Sequence, residues 1–187
     1  DETAAAVVEN GRVIESSVIA SQVDLHAQFG GVYPELASRE HVKAAYATVN
    51  EALQQAHMGL SDLDGIAVTR GPGLAGSLVV GVNLAKGLAL STDLPVIGVN
   101  HLEGHLYSAW LYQAGSKPSP EPKLPVMALL VSGGHTELIL MRDHLQYAYD
   151  LLGTGGNGKG CFLKALLDFY GPLGSTFSFA DFAGIGK

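Results

Sequence analysis

Residues 65–74 read GIAVTRGPGL, which is a short β-branched run, a Gly-Pro-Gly loop and the first residue of a helix. The following residues, 74–90, are mostly apolar, so we predict a buried helix. Residues 96–99 form another short apolar run after Pro95, and residues 101–114 again show helical spacing of apolar side chains. The alternation of strand, helix, strand and helix predicts an α/β fold with a mainly parallel portion of sheet.

The sequence before this unit predicts a β-hairpin and a long helix. Residues 3–8 and 12–20 are β-prone and are separated by Asn10-Gly11, a dipeptide typical of tight hairpin turns, so the two runs should pair antiparallel. Between residues 34 and 55 apolar side chains recur at helical spacing, and Pro34 suits a first helical turn. We therefore expect an amphipathic helix over residues 34–55.

The sequence after residue 112 predicts a change of organisation. Residues 113–124 are proline-rich and are expected to form an exposed linker. Residues 126–131 and 136–141 are β-prone, with a third possible strand at 146–152. We therefore predict a first lobe over residues 1–112, a linker over 113–124, the start of a second lobe over 125–152, and a tail over 153–187 to which we assign no function.

Composition limits the class of protein. The 187 residues are 47% hydrophobic and 16% charged, which predicts a packed core rather than a disordered chain. The net charge of -7, without a basic stripe, would repel a phosphate backbone, so a nucleic-acid substrate would need a basic surface from elsewhere. A single cysteine, Cys161, and the absence of a basic and apolar leader predict a cytoplasmic protein, with an organellar form left open. The apolar run 74–90 is interrupted by glycines, Asn83 and Lys86, so we predict no membrane span.

His101 and His105 are the clearest candidates for chemistry. Side chains four residues apart lie on one face of a helix, so the two imidazoles can reach one metal ion. A histidine pair on a helix is also a common capping or packing feature. Glu103 is rotated to another face, unlike the glutamate of the His-Glu-x-x-His protease pattern. A catalytic ion normally takes three protein ligands, so a third must come from elsewhere.

Three glycine-containing segments are candidates for binding. Residues 132–134, Ser-Gly-Gly, lie at a strand turn and could present backbone N–H groups to a phosphate or ribose, although spacing alone favours an ordinary hairpin. Residues 71–77 match no nucleotide fingerprint, and their glycines favour tight helix–strand packing. Residues 30–41 form a glycine turn into a polar helix start whose chemistry is not readable from spacing.

Together these segments resemble the tRNA N6-adenosine threonylcarbamoyltransferase family, long described as glycoproteases or O-sialoglycoprotein endopeptidases. The resemblance covers most of residues 1–152. It rests on five motifs in the family's order and at similar spacing: Asp1-Glu2-Thr3, residues 30–41, Gly71-Pro72-Gly73-Leu74, residues 100–105 and residues 130–136.

The resemblance implies an actin/Hsp70-like fold of two lobes and transfer of a threonylcarbamoyl group from its adenylate to N6 of the adenosine beside the anticodon of tRNA. It implies that His101 and His105 bind one divalent metal ion, iron or zinc. It also implies that the adenylate is contacted by the glycine turn of the second lobe, namely Leu130, Val131, Ser132, Gly133 and Gly134. Protein partners of a tRNA-modification complex are expected, and no membrane.

The chain departs from the family pattern at both ends. Family members have a further strand and a short phosphate loop before Asp1, without which apolar surface of the first sheet would be exposed. After Gly153 the family continues with an Asp-Asp-Ala-Ala-Gly-like helix, whereas this chain has the glycine-rich residues 154–161, so a substrate-binding aspartate is lost. The aspartate that supplies the third metal ligand is expected beyond Lys187. We therefore expect this chain to be a partial copy that is inactive alone.

Two other functions are compatible with these residues. A non-catalytic actin-fold scaffold or dimerisation partner of an intact enzyme would have the same fold and need no metal. A metalloprotease acting on glycoproteins would follow the older family name, but the position of Glu103 disfavours it.

Overall fold

The computed structural model describes residues 2–121, 123–131 and 135–154. It shows a mixed α/β chain that divides into two compact units, with the boundary between Glu121 and Pro122. The boundary lies within the segment for which the sequence predicts a linker.

The first unit begins with the predicted hairpin. Strand β1 (Glu2–Glu9) pairs antiparallel with β2 (Val13–Ser21), in a register that runs from Glu2 opposite Ser21 to Glu9 opposite Val13. Asn10 and Gly11 have φ angles of 52° and 69°, as the central residues of a type I′ turn require. The Asn-Gly signal therefore gave the correct turn and pairing.

A short helix, α1 (Val23–Ala27), leads to the long helix α2 (Pro34–Gln55), whose bounds agree with the prediction. The inner face of α2 carries small residues that pack against β1, β2 and a third helix: Ala37, Ala45, Thr48 and Ala52. The Ser16 hydroxyl donates to the carbonyl of Ala52 at 2.7 Å, which links β2 to α2 in the interior. Small side chains allow this close approach of helix and sheet.

The predicted β-α-β unit is confirmed. Strand β3 (Ile66–Gly71) is parallel to β4 (Val96–Asn100), and the two are joined through helix α3 (Ala75–Thr92). Helix α3 ends at Asp93, which has the left-handed conformation, with φ of 60°. This unit determines where the next helix, α4 (His101–Ser108), begins.

The prediction that α3 is buried was wrong. Ala85 is its single buried residue, while Leu90 is 89% exposed. An apolar composition does not create the neighbours that bury a helix, and α3 packs on one side only, against α2, β3 and β4. Within the described residues α3 is also the one helix whose length and hydropathy would suffice to cross a membrane. A single such helix is weak evidence for a membrane span, since core helices of soluble proteins meet the same criteria of length and hydropathy.

Helix α4 is shorter than the predicted span of 101–114. After Ser108 the chain turns, and Tyr112–Gln113 forms strand β5, parallel to β2. The Tyr112 and Ala114 amides donate to the carbonyls of Arg12 and Ile14, both at 3.0 Å. Pairing with the open edge of β2 therefore replaces further helical turns. Strand β5 also occupies the first residue of the predicted linker.

The rest of the predicted linker that belongs to this unit is exposed but anchored to it. The Ser119 hydroxyl donates to the carbonyl of Leu111 at 3.0 Å, and the Arg12 guanidinium donates to the carbonyl of Ser119 at 2.5 Å. Arg12 also forms an ion pair with Glu121 at 3.4 Å. Residues 113–121 are therefore attached to β2 and to Arg12, the residue that precedes it.

Among the described residues the strands of the first unit form two separate sheets, with orders β1-β2-β5 and β3-β4. A cavity of about 560 Å³ lies between β1 and β3, over the inner faces of α2 and α3. Its walls are mostly apolar, with Val7, Val49, Ile66 and Leu84 among the lining residues.

The second unit is an antiparallel meander. Strands β6 (Val126–Val131), β7 (His135–Asp143) and β8 (Gln146–Thr154) are ordered β6-β7-β8. Ile139 and Met141 of β7 are buried, each 1% exposed. The three strands predicted here are confirmed, and β8 continues two residues beyond the predicted end of the lobe. Residues 155–187, most of the predicted tail, lie outside the described residues.

Candidate functional site

The start of α4 is fixed by the residue that ends β4. The side-chain Oδ1 of Asn100 accepts a hydrogen bond from the Leu102 amide at 2.9 Å. Asparagine is among the best N-cap residues because its side chain satisfies an amide that has no partner within the helix. The cap places His101 at the first helical position and His105 one turn later.

The two histidines predicted to bind a metal meet at this helix start. Their Nε2 atoms lie 3.1 Å apart, and both side chains are exposed. Their ring centroids are 4.4 Å apart, with an angle of 69° between the planes. Two nitrogens that each bind one zinc ion at about 2.0–2.1 Å would be roughly 3 to 3.4 Å apart. The pair therefore fits two positions of one coordination sphere.

The described residues do not complete such a sphere. No group of three or more His, Cys, Asp or Glu side chains within residues 2–121, 123–131 and 135–154 could hold a metal ion. Glu103 is half-buried, whereas both histidines are exposed, which agrees with its predicted place on another helix face. The structure thus brings together the two imidazoles that the sequence predicts, and any further ligand must come from other residues.

The glycine loop of residues 71–73 lies at the same edge of the sheet. Gly71 is opposite Asn100 in the parallel register of β3 and β4, so the loop after β3 and the start of α4 are neighbours. Gly71 and Gly73 have φ angles of 152° and 159°, a region that favours glycine. The N-cap of α3, Leu74, makes no side-chain hydrogen bond to the helix.

Gly76 explains part of this motif by packing. A β-carbon at Gly76 would lie 2.5 Å from the Ser38 hydroxyl oxygen of α2. Real β-carbons essentially never make so short a contact, so an alanine at this position would force the Ser38 hydroxyl to move where α2 and α3 meet. This observation supports the packing interpretation of the motif.

The predicted adenylate-binding segment is only partly visible. Leu130 and Val131 end β6, where Leu130 is opposite Glu137 and Val131 is opposite Thr136. Ser132, Gly133 and Gly134 lie outside the described residues. The contact of residues 130–134 with a substrate stays a prediction.

Glu137 was not identified from the sequence. Its side chain is 6% exposed, and its Oε2 atom is buried without a hydrogen-bond partner among the described residues. The alternating pattern of β7 marked it as a strand residue but could not show that its carboxylate faces inward.

A polar cluster in the first unit was also missed. The Thr3 Oγ1 and His41 Nδ1 atoms lie 2.7 Å apart, and Gln22 Nε2 lies 3.4 Å from the same His41 nitrogen. Gln22 Oε1 lies 3.0 Å from His26 Nε2, and the Tyr33 amide lies 3.4 Å from His26 Nδ1. Thr3, Gln22 and His26 are buried. The cluster joins two of the five motifs noted above, Asp1-Glu2-Thr3 and residues 30–41.

The electrostatic setting of this cluster favours neutral histidine. Burial lowers the pKa of His41 from its ordinary value of 6.5, and electrostatic interactions with the chain's amino group and with His26 lower it further. A proton on His41 would be poorly solvated and close to other positive charge.

Comparisons with known proteins agree with this architecture. The sequence model of the family named "TsaD: tRNA N6-adenosine threonylcarbamoyltransferase" matches residues 13–154. A protein of that name from Thermomicrobium roseum is 58% identical over 153 residues, which cover 82% of this chain and 41% of the relative. The corresponding protein of Geobacillus kaustophilus is 53% identical over 148 residues, 79% of this chain and 41% of the relative.

Among solved structures, YeaZ from Pseudomonas aeruginosa aligns with a TM-score of 0.41 and 19% identity, over 81% of this chain and 64% of that protein. The chain spans about two fifths of the length of the curated relatives it matches. The family match confirms the predicted fold class, α/β of the actin/Hsp70-like type. With residues 13–154 matched, the chain belongs to the tRNA N6-adenosine threonylcarbamoyltransferase family.

Proposed function

We propose that the protein to which this chain belongs transfers a threonylcarbamoyl group from threonylcarbamoyl-AMP to N6 of the adenosine beside the anticodon of tRNA. The observation that carries the proposal is the convergence of the His101 and His105 Nε2 atoms, 3.1 Å apart, in a chain of this family. This chain would contribute two metal ligands and part of the substrate site, and we expect it to be inactive alone.

His101 and His105 would hold one divalent ion, iron or zinc, through their Nε2 atoms. Such an ion acts as a Lewis acid toward a carbonyl oxygen, here that of the carbamoyl group. The work of this chain's own residues is positional, since the Asn100 cap fixes the helix start and so presents both imidazoles on one face. A catalytic ion normally takes three protein ligands, so at least one more ligand would come from the rest of the protein.

In the proposed reaction the adenosine N6 amine attacks the carbamoyl carbonyl carbon. A C–N bond forms, the bond from that carbon to the phosphate oxygen breaks, AMP leaves, and N6 loses a proton. Backbone groups of residues 130–134 would contact the adenylate and hold the leaving group in place.

The tRNA would be bound largely by other surfaces. The chain has a net charge of -7, which opposes binding of a polyanion. We therefore propose that the remainder of the protein and protein partners of a tRNA-modification complex supply the basic contacts, and that the protein works in the cytoplasm.

The test is made in the full-length protein. His101→Ala and His105→Ala should each lower metal content and abolish tRNA modification, whereas His57→Ala, which removes an exposed histidine elsewhere, should change neither. Full modification by a protein that carries both substitutions at His101 and His105 would refute the proposal.

A further inference from the structure

The direction of each hydrogen bond in the His41 cluster is determined by one group that can only donate. The Tyr33 amide donates to His26 Nδ1, so that nitrogen accepts and the proton of neutral His26 is on Nε2. His26 Nε2 then donates to Gln22 Oε1. The amide nitrogen of Gln22 therefore faces His41 Nδ1, which accepts from it and from the Thr3 hydroxyl. In this arrangement the proton of each imidazole is on Nε2.

A proton on His41 would reverse this chain of donors and acceptors. Protonated Nδ1 is a donor, so the Thr3 hydroxyl then accepts from it, and the Gln22 amino group that faces it becomes a second donor without an acceptor. Rotation of the Gln22 amide by half a turn would offer Oε1 to His41 but would turn the amino group toward His26. His26 Nε2 must then accept, so its proton moves to Nδ1, where the Tyr33 amide also points. The hydrogen bond from Tyr33 to His26 is lost.

We propose that His41, Gln22 and His26 form a proton-operated latch that holds Tyr33 while both imidazoles are neutral and releases it when His41 binds a proton. Tyr33 is the N-cap of α2 and has no side-chain capping bond, so this amide is a direct tie between the α2 start and α1. Release would loosen the loop of residues 28–33. The latch does not depend on the proposed transfer activity.

Few other charges face the latch. Burial is the largest cause that lowers the pKa of His41, and the chain's amino group and His26 lower it further. The charged side chains on the neighbouring elements lie at the surface or in ion pairs. They include Glu2 and Glu9 on β1, Asp24 on α1, Lys86 on α3, and Glu35, Arg39, Glu40, Lys43 and Glu51 on α2, of which Arg39 pairs with Glu35 and Lys43 with Glu40. Glu15 of β2 is opposite the other end of β1, since Ser16 pairs with Val7.

The first experiment uses the unmodified chain and nitrogen NMR of its histidines. At about pH 7.5 the ring proton of His26 and that of His41 should each be on Nε2. As the pH falls toward about 5, the Tyr33 amide should shift with the same midpoint as His41, and its hydrogen exchange should rise about tenfold beyond the intrinsic change. A proton on His26 Nδ1 at the higher pH, or a Tyr33 amide that does not follow His41, would overturn the latch.

The second experiment interrupts the latch at Gln22, which lies between the two histidines. Gln22→Met keeps a side chain of similar length but cannot pass the change from one histidine to the other, so Tyr33 should no longer titrate with His41. His57→Gln, at an exposed histidine outside the cluster, should leave the coupling intact. Coupling that persists in Gln22→Met would contradict the proposal, and if that variant fails to fold, the titration of the unmodified chain decides.

Discussion

His41 on α2 and Thr3 at the start of β1 are joined by a 2.7 Å hydrogen bond although 38 residues separate them in the chain. The bond fixes the beginning of the first strand to the long helix that covers the sheet. Because burial and the electrostatic surroundings of His41 disfavour a proton on it, the stability of the first unit should depend on its protonation.

Stability should fall as the solution is acidified. The pKa of His41 is lower in the folded chain than its ordinary value of 6.5, so the unfolded chain binds a proton more readily. The His41 contribution is therefore complete above about pH 6.5 and is lost as the pH falls through the folded value. Urea unfolding at a series of pH values should show this loss. In His41→Gln that part of the pH dependence should disappear, and an unchanged profile would contradict the assignment to His41.

Metal binding should stabilise α4. An ion that bridges two histidines one turn apart favours the helical form, so added Zn²⁺ should raise the melting temperature of the chain. His101→Ala and His105→Ala should each abolish the rise while changing metal-free stability by less than about 0.5 kcal/mol, because both side chains are exposed. His57→Ala is the matched control, and a rise that survives loss of both helix histidines would place the ion elsewhere.

Gly76→Ala should destabilise the first unit by about 1–3 kcal/mol, because its β-carbon would lie 2.5 Å from the Ser38 hydroxyl oxygen. Chemical denaturation measures this cost. Ser38→Ala removes that oxygen, so the double variant should recover most of the loss. Gly87→Ala, on the same helix with open space around it, should be neutral or stabilising by up to about 1 kcal/mol. Equal costs at Gly76 and Gly87 would show that the contact with Ser38 is unimportant.

Asn100→Ala should cost about 1 kcal/mol, because it removes the acceptor of the Leu102 amide at the start of α4. Asn100→Asp keeps an acceptor and should retain most of the stability. The same Asn100→Ala protein should bind Zn²⁺ more weakly, since fraying of the first turn separates His101 from His105. Thermal unfolding with and without Zn²⁺ measures both effects. Unchanged zinc binding would show that the Asn100 cap is not needed to hold His101 and His105 together.

The features that the sequence predicted are those encoded locally. The Asn10-Gly11 turn, the bounds of α2 and the parallel pair β3 and β4 each follow from a pattern within a short window. The meeting of His101 and His105 is local for the same reason, because helical geometry places residues four apart on one face.

The features that were missed depend on distant parts of the chain. Helix α4 ends early because β5 pairs with β2, nearly 100 residues earlier, as Tyr112 is opposite Val13. The exposure of α3 depends on which elements cover it, and the amino-acid composition of a helix does not show which elements these are. The His41 cluster brings together β1, α1 and α2, and its members have no common spacing in the sequence.

The attachment of residues 112–121 to β2 has a practical consequence for dissecting the protein. A truncation after residue 112 would appear reasonable from the proline content, but it would remove half of β5 and the Ser119 carbonyl that Arg12 binds. The edge of β2 would then be unpaired, and an unpaired strand edge promotes self-association during expression. A clone that stops after Glu121 keeps this edge covered and is the better starting point for isolating the first unit.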